Sequence, residues 1–171
     1  MNTPNSRQID LLRKAGLRPQ VVAYIIRNGE FLLTYSRQHN LWFVPQGGID
    51  NKESPEKALY RELGEELGIK LQKSLYGKPE IIHTDKIMFT SGIGSRDLRT
   101  DAGESVVMKG KYYLHYIVQS NIDKINVKDT EFDKLIWIGK DKLYIVPKII
   151  TVPTKKNQFI NVMPELEKYL T

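Results

Sequence analysis

Apolar residues fall into short, dense runs along this chain, and turn-forming residues close each run. VVAYIIR (21–27) and EFLLTYS (30–36) are rich in β-branched and aromatic residues and are joined through Asn28-Gly29. Two such runs across an Asn-Gly pair predict an antiparallel hairpin. WFVP (42–45) predicts a short strand leading into the Gly47-Gly48 turn, and EIIHTDKIMF (80–89), KYYLHYIVQ (111–119) and KLIWIG (134–139) predict further strands. RQIDLLRKA (7–15), with Ile9 and Leu12 three apart, predicts a short amphipathic helix. It belongs to an N-terminal extension, 1–16, ahead of a single domain over 17–171. PELEKYL reads as a closing helix begun by Pro164.

The best-specified element lies at 55–67. Ser54 is a good N-cap, and Pro55 suits the first helical position, where its missing N–H costs nothing. Gly68 suits the left-handed residue after the helix, with Ile69 folding back onto Leu63. Between these elements, 90–109 (TSGIGSRDLRTDAGESVVMK) is polar and glycine-bearing and predicts a surface loop. Loops of that length inside compact domains are uncommon and often functional, so a substrate-facing role stands beside the plain surface reading. Strands and helices mix without strict alternation, which fits either α/β or α+β.

Composition changes this picture little. At 171 residues, 40% apolar and 27% charged, the chain has the makings of one globular domain with a sizeable core. Its longest apolar run, 21–26, is far short of a membrane span, and the N-terminus has no apolar signal segment. Cysteine is absent, which excludes disulfides, thiol nucleophiles and thiolate metal sites. A cytoplasmic protein with no membrane role is expected. The net charge of +6 suits an anionic partner such as a nucleotide or RNA, or equally a lysine-rich surface.

The chemistry lies at the end of the 55–67 helix. At about 100° per residue, Glu62, Glu65 and Glu66 share roughly 100° of arc beside the Leu59-Leu63-Leu67 stripe. Like charges one turn apart cost roughly 0.2–0.5 kcal/mol per pair. Each carboxylate in the last turn also opposes the helix dipole by roughly 0.3–1 kcal/mol. A solvated acidic face would carry a cost of about 1–2 kcal/mol that a bound cation would remove. Oxygen ligands without histidine or cysteine suit Mg²⁺, with Mn²⁺ as the alternative. His39, His83 and His115 are scattered at no ligand spacing, and of Tyr112 and Tyr113 at most one can face a cleft.

Gly47, Glu53, Arg61-Glu62-Leu63, Glu65-Glu66 and Gly68-Ile69 spell G-x5-E-x7-R-E-U-x-E-E-x-G-U, with U aliphatic. This resembles the signature of the Nudix hydrolases at all seven fixed and both aliphatic positions. The resemblance implies an α/β fold, an α/β/α sandwich around a mixed β-sheet. It also implies divalent-metal-dependent hydrolysis of a nucleoside diphosphate linked to another group. In those terms Glu62, Glu65 and Glu66 become metal ligands, and Gly47 and Gly48 let the backbone pass close to metal and substrate. Arg61 and Glu53 brace the loop.

Leu17-Arg18-Pro19, Trp42 through Ile49, Lys111 through Leu114 and Thr130-Glu131-Phe132-Asp133 look like the bacterial RNA pyrophosphohydrolases and the related dinucleoside polyphosphate hydrolases. That likeness makes Glu131 a further metal ligand, and Arg18 and Lys111 phosphate contacts. Glu65, Glu66 and Glu131 are then the candidates for the catalytic base. The chain departs from those proteins at Thr130, where they often carry proline, and at Arg96 and Arg99, which have no counterpart. The expected activity is removal of 5′ phosphates from tri- or diphosphorylated RNA. Cleavage of dinucleoside polyphosphates or another small nucleotide is the alternative, and a non-catalytic nucleotide- or RNA-binding regulator is the reading of another class. The chain is expected to be able to act as a monomer.

Overall fold

In the computed structural model, which describes residues 1–90 and 96–171, Asn28 (φ 50°) and Gly29 (φ 75°) both take positive φ. That is the demand of the tight hairpin turn an Asn-Gly pair favours. The turn joins β1 (Leu17–Arg27) to the antiparallel β2 (Glu30–Ser36). β1 extends four residues ahead of its apolar run because it pairs in parallel with β8 (Gly110–Ser120), from Leu17 opposite Gly110 to Ile26 opposite Gln119. Its residues 19–26 are all buried, the mark of a strand covered on both faces.

The rest of the sheet grows from this pair. β5 (Leu75–Met88) runs antiparallel to β8, while β3 (Leu41–Phe43) and β9 (Lys134–Ile138) flank β2. β4 (Gln46–Gly48) docks on β1 and completes a mixed seven-stranded sheet. Successive β1 side chains feed two separate cores. Val21, Ala23 and Ile25 pack with Ile9 of α1 (Ser6–Lys14), with Leu59, Leu63 and Leu67 of α2 (Pro55–Leu67), and with Leu71 of α3 (Ile69–Ser74). Val22, Tyr24 and Ile26 pack with Val146 of α4 (Val146–Ile149) and with Phe159, Val162 and Leu166 of α5 (Pro153–Leu166). The result is an α/β/α sandwich. No described helix is long and apolar enough to cross a membrane.

Three sequence expectations change here. Gly68 takes positive φ (94°) but an extended ψ (164°), so the chain leaves α2 straight into α3. Ile69 therefore does not fold back onto Leu63; it is 57% exposed, and Leu71 takes the buried place. The closing helix begins at Pro153, eleven residues before Pro164, because the apolar spacing Phe159-Val162-Leu166 sets its buried face. Pro164 is tolerated inside it on the exposed side, where Ile160, whose carbonyl it leaves free, is also exposed. Lastly, part of the 90–109 loop is a hairpin of β6 (Asp97–Arg99) and β7 (Ser105–Val107), turned at Gly103 (φ 85°). The middle of that loop, 91–95, lies outside the described residues.

Candidate functional site

The Ser54 hydroxyl accepts the Lys57 N–H and starts α2 with Pro55 in its first turn. The leucine stripe then seats the helix on the sheet and turns its acidic border toward β4. No basic residue stands in the last turn, so the dipole there is left unanswered by α2 itself. Instead Arg61 organises the carboxylates. It donates to Glu53 through Nε (2.9 Å) and Nη2 (2.8 Å), to Glu62 through Nη1 (2.7 Å), and to the Gly48 carbonyl through Nη2 (2.9 Å). These bonds hold the Glu53 carboxyl below its usual range and raise the guanidinium still further from deprotonation. Arg61 and Glu53 form a brace, as the resemblance implied.

The brace presses the Glu62 carboxylate against the Gly47 backbone, in the space a Cβ would fill at that position. Burial raises the Glu62 carboxyl above the normal range even with Arg61 in contact. Glu66 lies deeper, and its Oε2 is buried without a hydrogen-bond partner. Burial, then the charges of Glu62 and Glu131, push its carboxyl up to about 8. Glu131 comes from the segment before β9 and is placed by its own N–H, which donates to the Glu66 carbonyl (2.8 Å). Glu65 is exposed, its Oε1 3.6 Å from Arg61.

The structure thus places Glu62 and Glu131 each near enough to act on the Glu66 carboxyl, with Glu65 exposed at the rim. Among the described residues, no three acidic or histidine side chains form a ready-made cage, because Glu62 leans on Arg61 and Glu65 points outward. The orphaned oxygen of Glu66 and the glycine cradle nonetheless fit a hard divalent cation, which would satisfy the lone buried acceptor and relieve the like-charge crowding.

A cavity of about 260 Å³ opens beside Glu66, lined by Thr34, Ser36, Phe43, Gln46 and Phe132 among others. A larger one, about 1150 Å³, lies just past the C-terminus of α2 around Ile69, Ile125 and Val127, and none of these carboxylates lines it. Of the four carboxylates, Glu66 is the one that lines the smaller cavity.

On the opposite side of β4, Arg18 and Lys111 are direct neighbours across β1 and β8. Arg18 lies over Gly48, where a Cβ would come within 2.9 Å of its Nη2. Partial burial, then Arg18 and Arg96, lower the Lys111 ammonium. Three cations gathered this closely are suited to receiving an anion.

Sequence reasoning passed over Lys155. This α5 residue donates to Gln46 (2.8 Å) and Gln158 (3.1 Å) and lies over the rings of Tyr113 and Phe43. Burial, then Lys111, push its ammonium down to about 8. Nothing local marks it; it is separated by 109 residues from its partner Gln46. Of the tyrosine pair, Tyr113 faces this polar line, and Tyr112 packs on the α2 side. His115 is buried against Asp85 (2.9 Å) with its ring close to His83, while His39 sits at the turn after β2. Burial, only partly offset by Asp85, keeps His115 below its ordinary value and hence neutral, a core histidine.

The NUDIX domain matches residues 16–159. The RNA pyrophosphohydrolase of Acinetobacter baylyi is 32% identical over 160 residues, 91% of each chain. That of Actinobacillus succinogenes is 31% identical over 159 residues, 91% of this chain and 76% of its own. Among solved structures, the E. coli dihydroneopterin triphosphate pyrophosphohydrolase aligns with a TM-score of 0.58 over 86% of this chain and 98% of its own, at 14% identity. A C. elegans Ap4A hydrolase complex aligns with a TM-score of 0.53 over 89% and 99%, at 19% identity. At these identities the structural likeness speaks for the fold.

Proposed function

This chain belongs to the Nudix hydrolase family, whose members act on phosphoric anhydride bonds, and on that premise we propose that it is a Mg²⁺-dependent pyrophosphohydrolase converting 5′-tri- or diphosphorylated RNA to 5′-monophosphorylated RNA. The observation that carries the reading is the partnerless buried oxygen of Glu66 between the charges of Glu62 and Glu131. The choice of RNA rests on the two relatives at 31% and 32% identity, both RNA pyrophosphohydrolases.

Glu62, Glu66 and Glu131 would hold the cation, with Glu65 at the rim and the Gly47 backbone alongside. When bound, the cation neutralises pyrophosphate oxygens and makes a water easier to deprotonate. Arg18 and Lys111 bind the phosphate chain on the β1–β8 side, and Gly48 lets the chain approach between them. One carboxylate of the set Glu65, Glu66 and Glu131 accepts the proton of the attacking water. In-line attack then separates the terminal phosphates from the nucleotide.

The test is a competition in one tube containing Mg²⁺, 5′-triphosphorylated short RNA and diadenosine tetraphosphate. Faster appearance of 5′-monophosphate RNA is the expected result. Preferential loss of the dinucleotide would make RNA a side activity and keep the reaction. Tight binding of RNA without turnover of either substrate would point instead to a regulator.

A thermal measurement checks the cation separately. Mg²⁺ is expected to raise the melting temperature of the wild type by several degrees, as any ligand specific to the native state does. A Glu62→Gln/Glu66→Gln variant is expected to shift far less. Equal shifts would remove the cation from these carboxylates.

A further inference from the structure

The signature loop is fastened by a helix that precedes the matched domain. α1 lies outside residues 16–159, yet Ile9 is 0% exposed in the α2-side core and Arg13 is 2% exposed. Arg13 Nη2 donates to the carbonyls of Ile49 (2.8 Å) and Asp50 (2.9 Å), just where β4 ends. Its Nη1 donates to Asp101 Oδ1 (3.2 Å), on the turn between β6 and β7. That same oxygen accepts from Asn51 Nδ2 (2.9 Å) and from the Lys52 N–H (2.9 Å). The Asp101 N–H returns to Asp10 of α1 (2.7 Å), and Asn51 also donates to the Arg99 carbonyl (3.0 Å). Three elements, α1, the loop at 49–53 and the β6–β7 hairpin, are therefore joined at one charged knot.

From this knot a chain of direct hydrogen bonds leads to the candidate metal site. The Asp50 N–H donates to Glu53 Oε2 (2.9 Å), Glu53 holds Arg61, and Arg61 holds Glu62 against Gly47. The loop needs such a tie, because Lys52 has φ 62°, a left-handed conformation that a non-glycine residue adopts at a cost. A nearly buried guanidinium is a poor means of gaining stability alone. Well-packed apolar residues in place of such groups are often neutral or stabilising. What the planar fork does supply is a fixed geometry toward two carbonyls at once.

We infer that Arg13 is a positioning residue for the hydrolysis: by clamping the 49–53 loop to α1 and to the β6–β7 hairpin, it fixes the Glu53–Arg61 brace that seats Glu62. This rests on the reading of Glu62 and Glu66 as cation-holding residues. It also makes the N-terminal helix part of the working enzyme, and it fixes the hairpin carrying Arg99 beside the cleft.

The test uses the full chain and Mn²⁺ as probe, with binding read by the electron paramagnetic resonance of free Mn²⁺. Loss of a residue behind a metal ligand typically costs about 10–100-fold in metal affinity or activity. Arg13→Met is expected to weaken Mn²⁺ binding about tenfold, near the low end of that range, and to speed amide exchange across 46–53. It is also expected to lower kcat with little change in KM. Asp101→Ala, which leaves Arg13 on its two carbonyls, is expected to act in the same direction, less strongly. Methylguanidinium is expected to restore part of the affinity to Arg13→Ala. Val162→Ala, in the opposite core, serves as a stability control and is expected to lower the melting temperature without weakening Mn²⁺.

Mn²⁺ affinity of Arg13→Met within twofold of wild type would overturn the inference, as would an equal loss in Val162→Ala. Should Arg13→Met fail to fold, unchanged affinity in Asp101→Ala overturns it equally. If wild type and Glu66→Gln bind Mn²⁺ alike, the reading of the carboxylates fails first and the inference falls with it.

Discussion

Glu66→Gln is expected to lower kcat by about 10²–10⁴-fold, the span over which a carboxylate engaged in proton transfer or cation binding acts. The same change is expected to make the metal-free protein melt higher at alkaline pH. Both effects have one origin. Glu66 is partly buried, its Oε2 is buried with no partner, and this burial, then the charges of Glu62 and Glu131, raises its carboxyl to about 8 from the ordinary 4.5. Between those values the native state keeps a proton that the unfolded chain has released. The stability carried by the protonated form is complete below the unfolded value and is lost as pH rises through about 8. Glutamine has the same shape and never ionises, so the variant escapes that loss. Melting curves in EDTA at pH 4 and pH 9 should show wild type and Glu66→Gln close together at the first and separated by several degrees at the second. An equal gap at both would mean that Glu66 is solvated and carries no such strain. Wild-type turnover by the variant would remove it from the mechanism.

Gly47→Ala is expected to reduce the rate by about 100-fold while leaving the fold intact. Gly47 does not have positive φ, so alanine is compatible with its backbone. The added Cβ would fall on the Glu62 carboxylate, the far end of a flexible side chain that can swing aside. The collision therefore costs little stability but takes Glu62 from its seat against β4. Misplacement of a reacting group by about 1 Å can cost on the order of 100-fold in rate. The measurements are kcat at saturating Mg²⁺ and the melting temperature in EDTA, the first falling and the second moving by no more than a few degrees. A large melting loss would mean that Gly47 is needed for folding, and an unchanged kcat would mean that Glu62 works from another position.

What the sequence determined by itself follows from short-range physics. Asn28-Gly29 can form its turn with two positive φ values whatever surrounds it, and Ser54-Pro55 starts α2 from local capping alone. The crowding of Glu62, Glu65 and Glu66 is a helix-surface property, readable from spacing before any fold is known. Local signals also misled: Pro164 looked like a helix start because the Phe159-Val162-Leu166 face is recognised only once a sheet is present to receive it. The sandwich alone decided the long-range pairings. Val21 and Val22 are adjacent valines, yet the pleat of β1 sends them to different cores. Lys155 reaches Gln46 and Arg13 reaches Asp50 only because helices from opposite ends of the chain pack on opposite faces of one sheet. A carboxylate's charge is written in the sequence. Its burial, its missing partner and the cation it calls for depend on which distant segments exclude water around it, and that was settled by tertiary packing.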